Sequence, residues 1–254
     1  MKRINLFLVA LFCAFAVNAS SEGRKVENFN FGWKFILQDV KGAEQPQFDD
    51  SGWRVVDVPH DFQIEQPWVA PDASERADNS DPGANIRSRL SSRGFKEMGI
   101  GWYRKTFTPD ASWKNKRVII DFEGIMYVGD VYLNGQLIGG TDYGYVGFEI
   151  DITKLLKYDA PNVLAVKADT REPNNSRWYT GSGLFRGVKL CHGPRVHIVP
   201  DGIFVYTKEV ADGYAFLEAQ VEVENATLEN RMAEVTVCIL EEGKEDIIAK
   251  TKRV

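Results

Sequence analysis

Beyond about residue 20, the chain consists of short apolar runs separated by Gly, Pro, Asn and Asp. Residues 118–122, 162–168 and 187–190 are such runs, and Val, Ile and Leu dominate them. Runs of this length that end at turn-forming residues are typical of β-strands. Because no amphipathic pattern extends beyond two helical turns, the sequence predicts an all-β fold.

The clearest local signal is a β-hairpin. Residues 130–133 and 136–138 are apolar-alternating, and only Asn134 and Gly135 separate them. Asn-Gly suits the two positive-φ positions of a type I′ turn, whose twist matches that of paired strands. The sequence therefore predicts a tight hairpin here.

A domain boundary is predicted near residues 192–202, where His-Gly-Pro and Pro-Asp-Gly interrupt the strand pattern. We expect one domain over residues 20–196 and a second from 197 to 254. Apolar and polar residues alternate over 217–224, as in a strand with one wet face, and 235–239 begins a return strand. This resembles the opening of an immunoglobulin-like sandwich, which needs about 100 residues. About half of that length follows the boundary, so we expect the sequence to stop inside a domain.

The first 19 residues have the pattern of a signal peptide. Lys2 and Arg3 precede an apolar run over residues 4–17, and Ala19 provides a small residue for cleavage. The run is too short to span a bilayer comfortably. The sequence predicts export to the periplasm, the cell surface or the medium, without a membrane span.

Cysteine, histidine and charge limit the function classes. Cys13 could support a lipoprotein signal, but Phe12 before it disfavours that reading. Cys191 and Cys238 are expected to be two buried thiols, with a disulfide as the alternative. Three His without close partners indicate no metal site and no cofactor. A net charge of −5 argues against non-specific nucleic-acid binding.

Residues 65–101 are rich in Pro, Ser, Asp and Arg and poor in large apolar side chains. A loop of this length is uncommon in a compact domain. Two interpretations stay open: a surface excursion over one face of the sandwich, or a disordered insert.

Three segments together resemble the N-terminal region of glycoside hydrolase family 2, the family of β-galactosidases, β-glucuronidases and β-mannosidases. The first covers residues 31–35, 48–53 and 56–62, and includes Pro59-His60-Asp61. The second starts with Gly-Trp-Tyr-Arg at 101–104 and continues through 122–126, 131–135 and 144–145. The third covers residues 175–186, from Asn175 to Arg186. All three, in this order, look most like β-galactosidases of gut-type bacteria.

The resemblance implies a jelly-roll sandwich of the galactose-binding type, followed by an incomplete immunoglobulin-like sandwich. In complete members a TIM barrel follows and carries the acid/base Glu and the nucleophile Glu of a retaining glycosidase. That reaction needs two carboxyl groups about 5 Å apart. The 254 residues end before such a barrel, so we expect no catalytic residue here and an inactive chain when it is alone. A homo-oligomer of the full enzyme stays open.

The resemblance also implies a substrate-contacting loop before Gly181. Asn175, Arg177 and Trp178 are the predicted sugar-binding residues, since an amide and a guanidinium suit hydroxyl oxygens and an indole packs on a sugar ring. The alternative for Trp178 is a structural role, which is the one we favour for Tyr179 and Arg186. The family places an Asp in this neighbourhood, and this chain has none.

The preferred function is therefore the non-catalytic N-terminal part of an exported family 2 glycosidase that hydrolyses terminal β-linked sugars. The carbohydrate substrate and the C-terminal barrel would be its partners. The alternative is a stand-alone carbohydrate-binding module without hydrolase activity, and a purely structural secreted sandwich is a third reading. Carboxylate pairs are expected to be structural: Asp49 and Asp50 are adjacent and would face opposite ways on a strand, and Asp121 and Glu123, two apart, would share a solvated or structural face.

Overall fold

The computed structural model describes residues 23–68, 96–171, 181–211, 213–240, 242 and 247–253. These residues form fourteen β-strands and two short 3₁₀ helices, so the all-β prediction is confirmed. The strands are β1 (Lys25–Asn28), β2 (Trp33–Leu37), β3 (Arg54–Val56), β4 (Ile100–Phe107), β5 (Arg117–Phe122), β6 (Val128–Leu133), β7 (Gln136–Thr141), β8 (Phe148–Asp151), β9 (Asn162–Asp169), β10 (Val188–Gly193), β11 (Val196–Ala211), β12 (Tyr214–Asn225), β13 (Val235–Leu240) and β14 (Ile247–Arg253). The 3₁₀ helices are Phe62–Glu65 and Ala111–Trp113.

The first ten strands form two antiparallel sheets. One has four strands in the order β1-β10-β5-β8, and the other has six in the order β3-β2-β4-β9-β6-β7. Alternate residues of each sheet enter one shared core, as Ile120 and Leu190 do from the first sheet and Phe35 and Leu164 from the second. Burying apolar side chains between two sheet faces is what stabilises a sandwich.

The predicted hairpin joins β6 and β7. Asn134 and Gly135 both have positive φ, at 53° and 87°, as a type I′ turn requires. The Asn134 side chain also accepts a hydrogen bond from the Val163 N–H and donates one to Asn162 Oδ1. The turn is therefore tied to the neighbouring strand β9.

A second, smaller apolar cluster lies against the six-stranded sheet. Trp53, Trp102 and Ala165 belong to it, and Phe48 packs at its edge. Residues 38–53 supply part of this cluster, so they form a packed layer rather than a solvated loop.

Arg104 fastens that layer to the sheet. Its side chain is 2% exposed and forms an ion pair with Asp50 at 2.8 Å. Its guanidinium also donates to the carbonyl oxygens of Ala43, Gln45 and Phe48. A buried guanidinium is tolerated only when its donors are satisfied in this way.

The last four strands form two separate hairpins, β11–β12 and β13–β14. Pro200, Asp201 and Gly202, predicted to punctuate the boundary, lie inside β11 where its register with β12 shifts. The shift is a bulge within a strand that begins at Val196. The division at residues 196 and 197 stays a prediction.

Both described cysteines are free: Cys191 is buried and Cys238 is half-buried. The expectation of two thiols holds, but full burial holds only for Cys191. In the described part of the chain, no helix could cross a membrane. Within the same residues, no group of three or more metal-ligating side chains occurs. The predicted signal peptide lies outside the described residues.

Candidate functional site

One end of the sandwich collects the connections that flank the predicted substrate loop. We call this end the rim; it comprises residues 60–68, 96–99, 123–127, 142–147, 170–171 and 181–187, several of which are joined by backbone hydrogen bonds. Thr170, at the end of β9, exchanges hydrogen bonds with the backbone of Gly99, just before β4. Thr170 is fully buried, so the chain enters the loop from a fixed point.

The chain leaves the loop at a second fixed point. The backbone N–H of Phe62 donates to the carbonyl oxygen of Ser182, and the backbone N–H of His60 donates to the carbonyl oxygen of Leu184. The Ser182 hydroxyl donates to Gln63 Oε1 at 2.9 Å, and both side chains are fully buried. A buried polar pair with its bonds satisfied gives this junction one defined arrangement.

The turn that makes these bonds is set by Asp61. Its carboxylate accepts from the Gln63 N–H at 3.0 Å and caps the 3₁₀ helix Phe62–Glu65. Asp61 and its neighbours therefore satisfy backbone groups, as a short Asp-containing turn is expected to do. The predicted structural role of Pro59-His60-Asp61 fits this geometry.

Gly183 lies directly on a buried tyrosine. Its backbone pairs with Met126 in both directions, at 2.7 and 2.9 Å. A Cβ atom at Gly183 would lie 2.1 Å from the Tyr103 hydroxyl oxygen, and the φ of +89° already disfavours a side chain. Burial raises the pKa of Tyr103 well above its usual value, so its hydroxyl stays protonated. The Gly-Leu-Phe-Arg segment is thus seated by close backbone contact.

His60 joins Tyr103 to an ion pair at the surface. Its Nδ1 lies 2.8 Å from the Tyr103 hydroxyl, and its Nε2 lies 3.4 Å from Glu65 Oε1. Arg54 bonds Glu65 at 2.6 Å, and this bond lowers the pKa of Glu65. Burial lowers the pKa of His60, outweighing the attraction of Glu65 and Asp61.

This burial predicts an acid-sensitive fold. A histidine whose pKa is lowered in the folded state binds its proton more readily when unfolded. Stability contributed by neutral His60 is therefore present above about pH 6.5 and lost as the pH falls below it. Thermal melts of the chain from neutral to mildly acidic pH should show this loss, and His60→Gln should flatten the slope.

His197→Gln, on β11, is the matched control, and it should retain the slope that His60 produces. An unchanged slope in His60→Gln would assign the acid sensitivity to other groups.

The carboxylates Asp121, on β5, and Glu123, on the rim, lie in structural surroundings. Glu123 pairs with Lys189 at 2.5 Å and accepts from the Gly187 N–H. Asp121 has its pKa raised by burial, and Lys189 partly offsets this. Arg186 donates to the carbonyl oxygens of Glu123 and Tyr145, which fits the predicted structural role.

The three predicted sugar-binding residues, Asn175, Arg177 and Trp178, lie outside the described residues, as does Tyr179. Their assignment stays a prediction. The structure brings together what holds both ends of that segment, namely Thr170 with Gly99 and Ser182 with Gln63. Sequence reasoning did not identify Gln63 or Tyr103, because their partners lie far away along the chain.

Comparison with known proteins places this sandwich in a recognised class. Residues 98–180 match the family described as the glycosyl hydrolase 2 galactose-binding domain-like family. The β-galactosidase BoGH2A of Bacteroides ovatus is 36% identical over 230 residues, which are 90% of this chain and 25% of that protein. A β-glucuronidase of Formosa agariphila is 28% identical, over 84% of this chain and 22% of that protein.

Solved structures support the same relationship to glycosidases. A β-glycosidase from Bacteroides vulgatus superposes with a TM-score of 0.76 and 34% identity, over 90% of this chain and 27% of that one. The chain therefore carries the galactose-binding-like sandwich of family 2 and is homologous to the N-terminal region of family 2 β-galactosidases and β-glucuronidases. It spans about a quarter of the length of these relatives.

Proposed function

We propose that this chain is the N-terminal, non-catalytic part of an exported family 2 glycoside hydrolase, most like a β-galactosidase. The whole protein would hydrolyse terminal β-linked sugars with retention of configuration. The sandwich would brace the catalytic domain and complete the sugar pocket from outside it.

One observation carries this proposal: the similarity covers nine-tenths of the chain and falls on about one quarter of a β-galactosidase. That coverage is consistent with a non-catalytic part of such an enzyme. The basic and apolar first 19 residues support export.

The geometry of the rim supports a contact with substrate. Both ends of the segment that contains Asn175 are held by buried hydrogen bonds. A site held by rigid supports loses less entropy when it binds a sugar. We assign the sugar contacts to Asn175, Arg177 and Trp178.

A domain exchange tests the proposal. This chain would replace the corresponding region of the B. ovatus enzyme, and hydrolysis of nitrophenyl β-galactoside would be measured. We expect activity in the chimera, and we expect Asn175→Ala to raise KM about tenfold, the effect of losing roughly 1.4 kcal/mol of binding.

Lys41→Ala, an exposed change away from the rim, is the control and should leave KM unchanged. A folded chimera without activity would contradict the supporting role. An Asn175→Ala chimera with unaltered KM would contradict the sugar contact.

A further inference from the structure

Trp68 differs from every other tryptophan that the structure describes. Its side chain is 72% exposed, whereas Trp33, Trp53, Trp102 and Trp113 are all buried. Trp68 lies on the rim and forms an isolated antiparallel bridge with Lys96. An exposed indole offers solvent a flat apolar face with a polar N–H at its edge.

Lys96 holds the indole ring in place. Its ammonium nitrogen lies 4.3 Å from the ring centroid. The same nitrogen donates to the carbonyl oxygens of Ile64 at 3.1 Å and Gln66 at 2.7 Å. With the cation on the ring and anchored to the backbone, Trp68 is ordered before any ligand arrives.

The Trp68–Lys96 pair is connected to the exit of the predicted substrate loop. Gln63 Nε2 donates to the Lys96 carbonyl oxygen at 3.4 Å, and Gln63 Oε1 accepts from Ser182 at 2.9 Å. Two hydrogen bonds of the buried Gln63 side chain therefore link the backbone of Lys96, which holds the indole ring, to the segment that begins at Gly181. The two features belong to one rigid part of the rim.

We propose that Trp68 is a stacking platform for a sugar ring of a β-linked oligosaccharide. The proposal rests on the proposed function and places this ring next to the terminal sugar that the enzyme removes. The apolar C–H face of a pyranose packs on an indole. The Lys96 ammonium occupies one face of the indole, so the pyranose would pack on the other face.

The surroundings of Trp68 favour a sugar over a protein partner. Among its described chain neighbours Glu65, Gln66, Lys96 and Glu97 are polar or charged, and Ile64 is the one exposed large apolar side chain. Protein partners are bound through wider apolar patches that surround an aromatic anchor. A single flat ring with polar groups at its edge matches the amphipathic surface of one sugar unit.

The test titrates the 254-residue chain with β-1,4-galactotetraose and follows the Trp68 indole N–H by NMR, with the resonance assigned from Trp68→Phe. We expect this resonance to move on titration, and Trp68→Ala to weaken binding about tenfold or to below detection. Trp68→Phe, which keeps a ring, should retain part of the affinity. Tyr214→Ala, an exposed aromatic on β12 outside the rim, is the control and should bind as the parent does.

An indole resonance that does not move, or a Trp68→Ala chain with unchanged affinity, would overturn the platform. A shift that depends on protein concentration alone would assign the ring to a second copy of the chain, and would also overturn it.

The chimera separates this proposal from the proposed function. If only the platform is wrong, Trp68→Ala leaves KM unchanged for both the tetraose and nitrophenyl β-galactoside, while hydrolysis persists. If only the function is wrong, the chimera is inactive and the Trp68 resonance still moves.

Discussion

Gly183→Ala is expected to lower the free energy of unfolding by about 3 kcal/mol or more. The new methyl group would lie 2.1 Å from the Tyr103 hydroxyl oxygen and 2.9 Å from the Phe62 ring. Both rings are fully buried, so neither can move aside without opening the core. The φ of +89° adds backbone strain for any L-residue. For a chain of this size, the melting temperature should fall by roughly 10 °C.

Gly32→Ala separates the two causes. Gly32 also has a positive φ, of +71°, but nothing lies within 4 Å of where its Cβ would be. It should therefore show the strain of about 1 kcal/mol without the collision. Equal melting temperatures for the two variants would mean that Gly183 is not seated on Tyr103.

Arg104→Met is expected to destabilise the chain by about 3 kcal/mol, because several hydrogen bonds of a buried guanidinium are lost together. The variant keeps much of the side-chain volume but leaves Asp50 without its ion-pair partner. The carbonyl oxygens of Ala43 and Gln45 would lose their donors as well. Denaturant unfolding measures the difference in the free energy of unfolding between the variant and the parent, provided that both have the same m-value.

Two further variants test whether the loss of stability in Arg104→Met comes from the bonds of the buried guanidinium. Arg171→Ala removes an exposed arginine that pairs with Asp169, so it should cost less than about 1 kcal/mol. Arg104→Lys keeps the charge but loses the planar fork, and it should recover only part of the stability. If Arg104→Met were no worse than Arg171→Ala, residues 38–53 would not depend on the guanidinium.

Local signals in the sequence predicted much of the sandwich. The β6–β7 hairpin depends on Asn134 and Gly135, two adjacent residues whose backbone preference is intrinsic. The all-β class follows from short alternating runs, whose period is also a local property. These features need no knowledge of what lies across the core.

Features that depend on distant partners were not predicted. The bonds of Arg104 to residues 43–50 span more than fifty positions, and no periodicity reports them. Pro200 and Gly202 indicated a turn between strands, but the pairing of β11 with β12 holds them in a bulge, while the domain division at residues 196 and 197 stays a prediction. Pairing energy over a long strand outweighed local turn preference there.

On the rim, too, the sequence predicted the local feature and missed the one without a local signal. The motif around His60 and Asp61 was recognised as a structural turn, because Asp bonds its own local backbone. Trp68 was overlooked, since residues 65–101 look poor in apolar groups and a single exposed ring has no period. Asn175, Arg177 and Trp178 were proposed through family resemblance, and mutation is what tests them.

The central claim is that this chain supports a sugar pocket and supplies no catalytic group. The most direct test is hydrolysis of nitrophenyl β-galactoside by the purified 254-residue chain alone. The account predicts a rate indistinguishable from buffer, with the B. ovatus enzyme as the positive control. Turnover by the chain that a substitution such as Glu123→Gln abolishes would contradict it, because a carboxylate of this sandwich would then be catalytic.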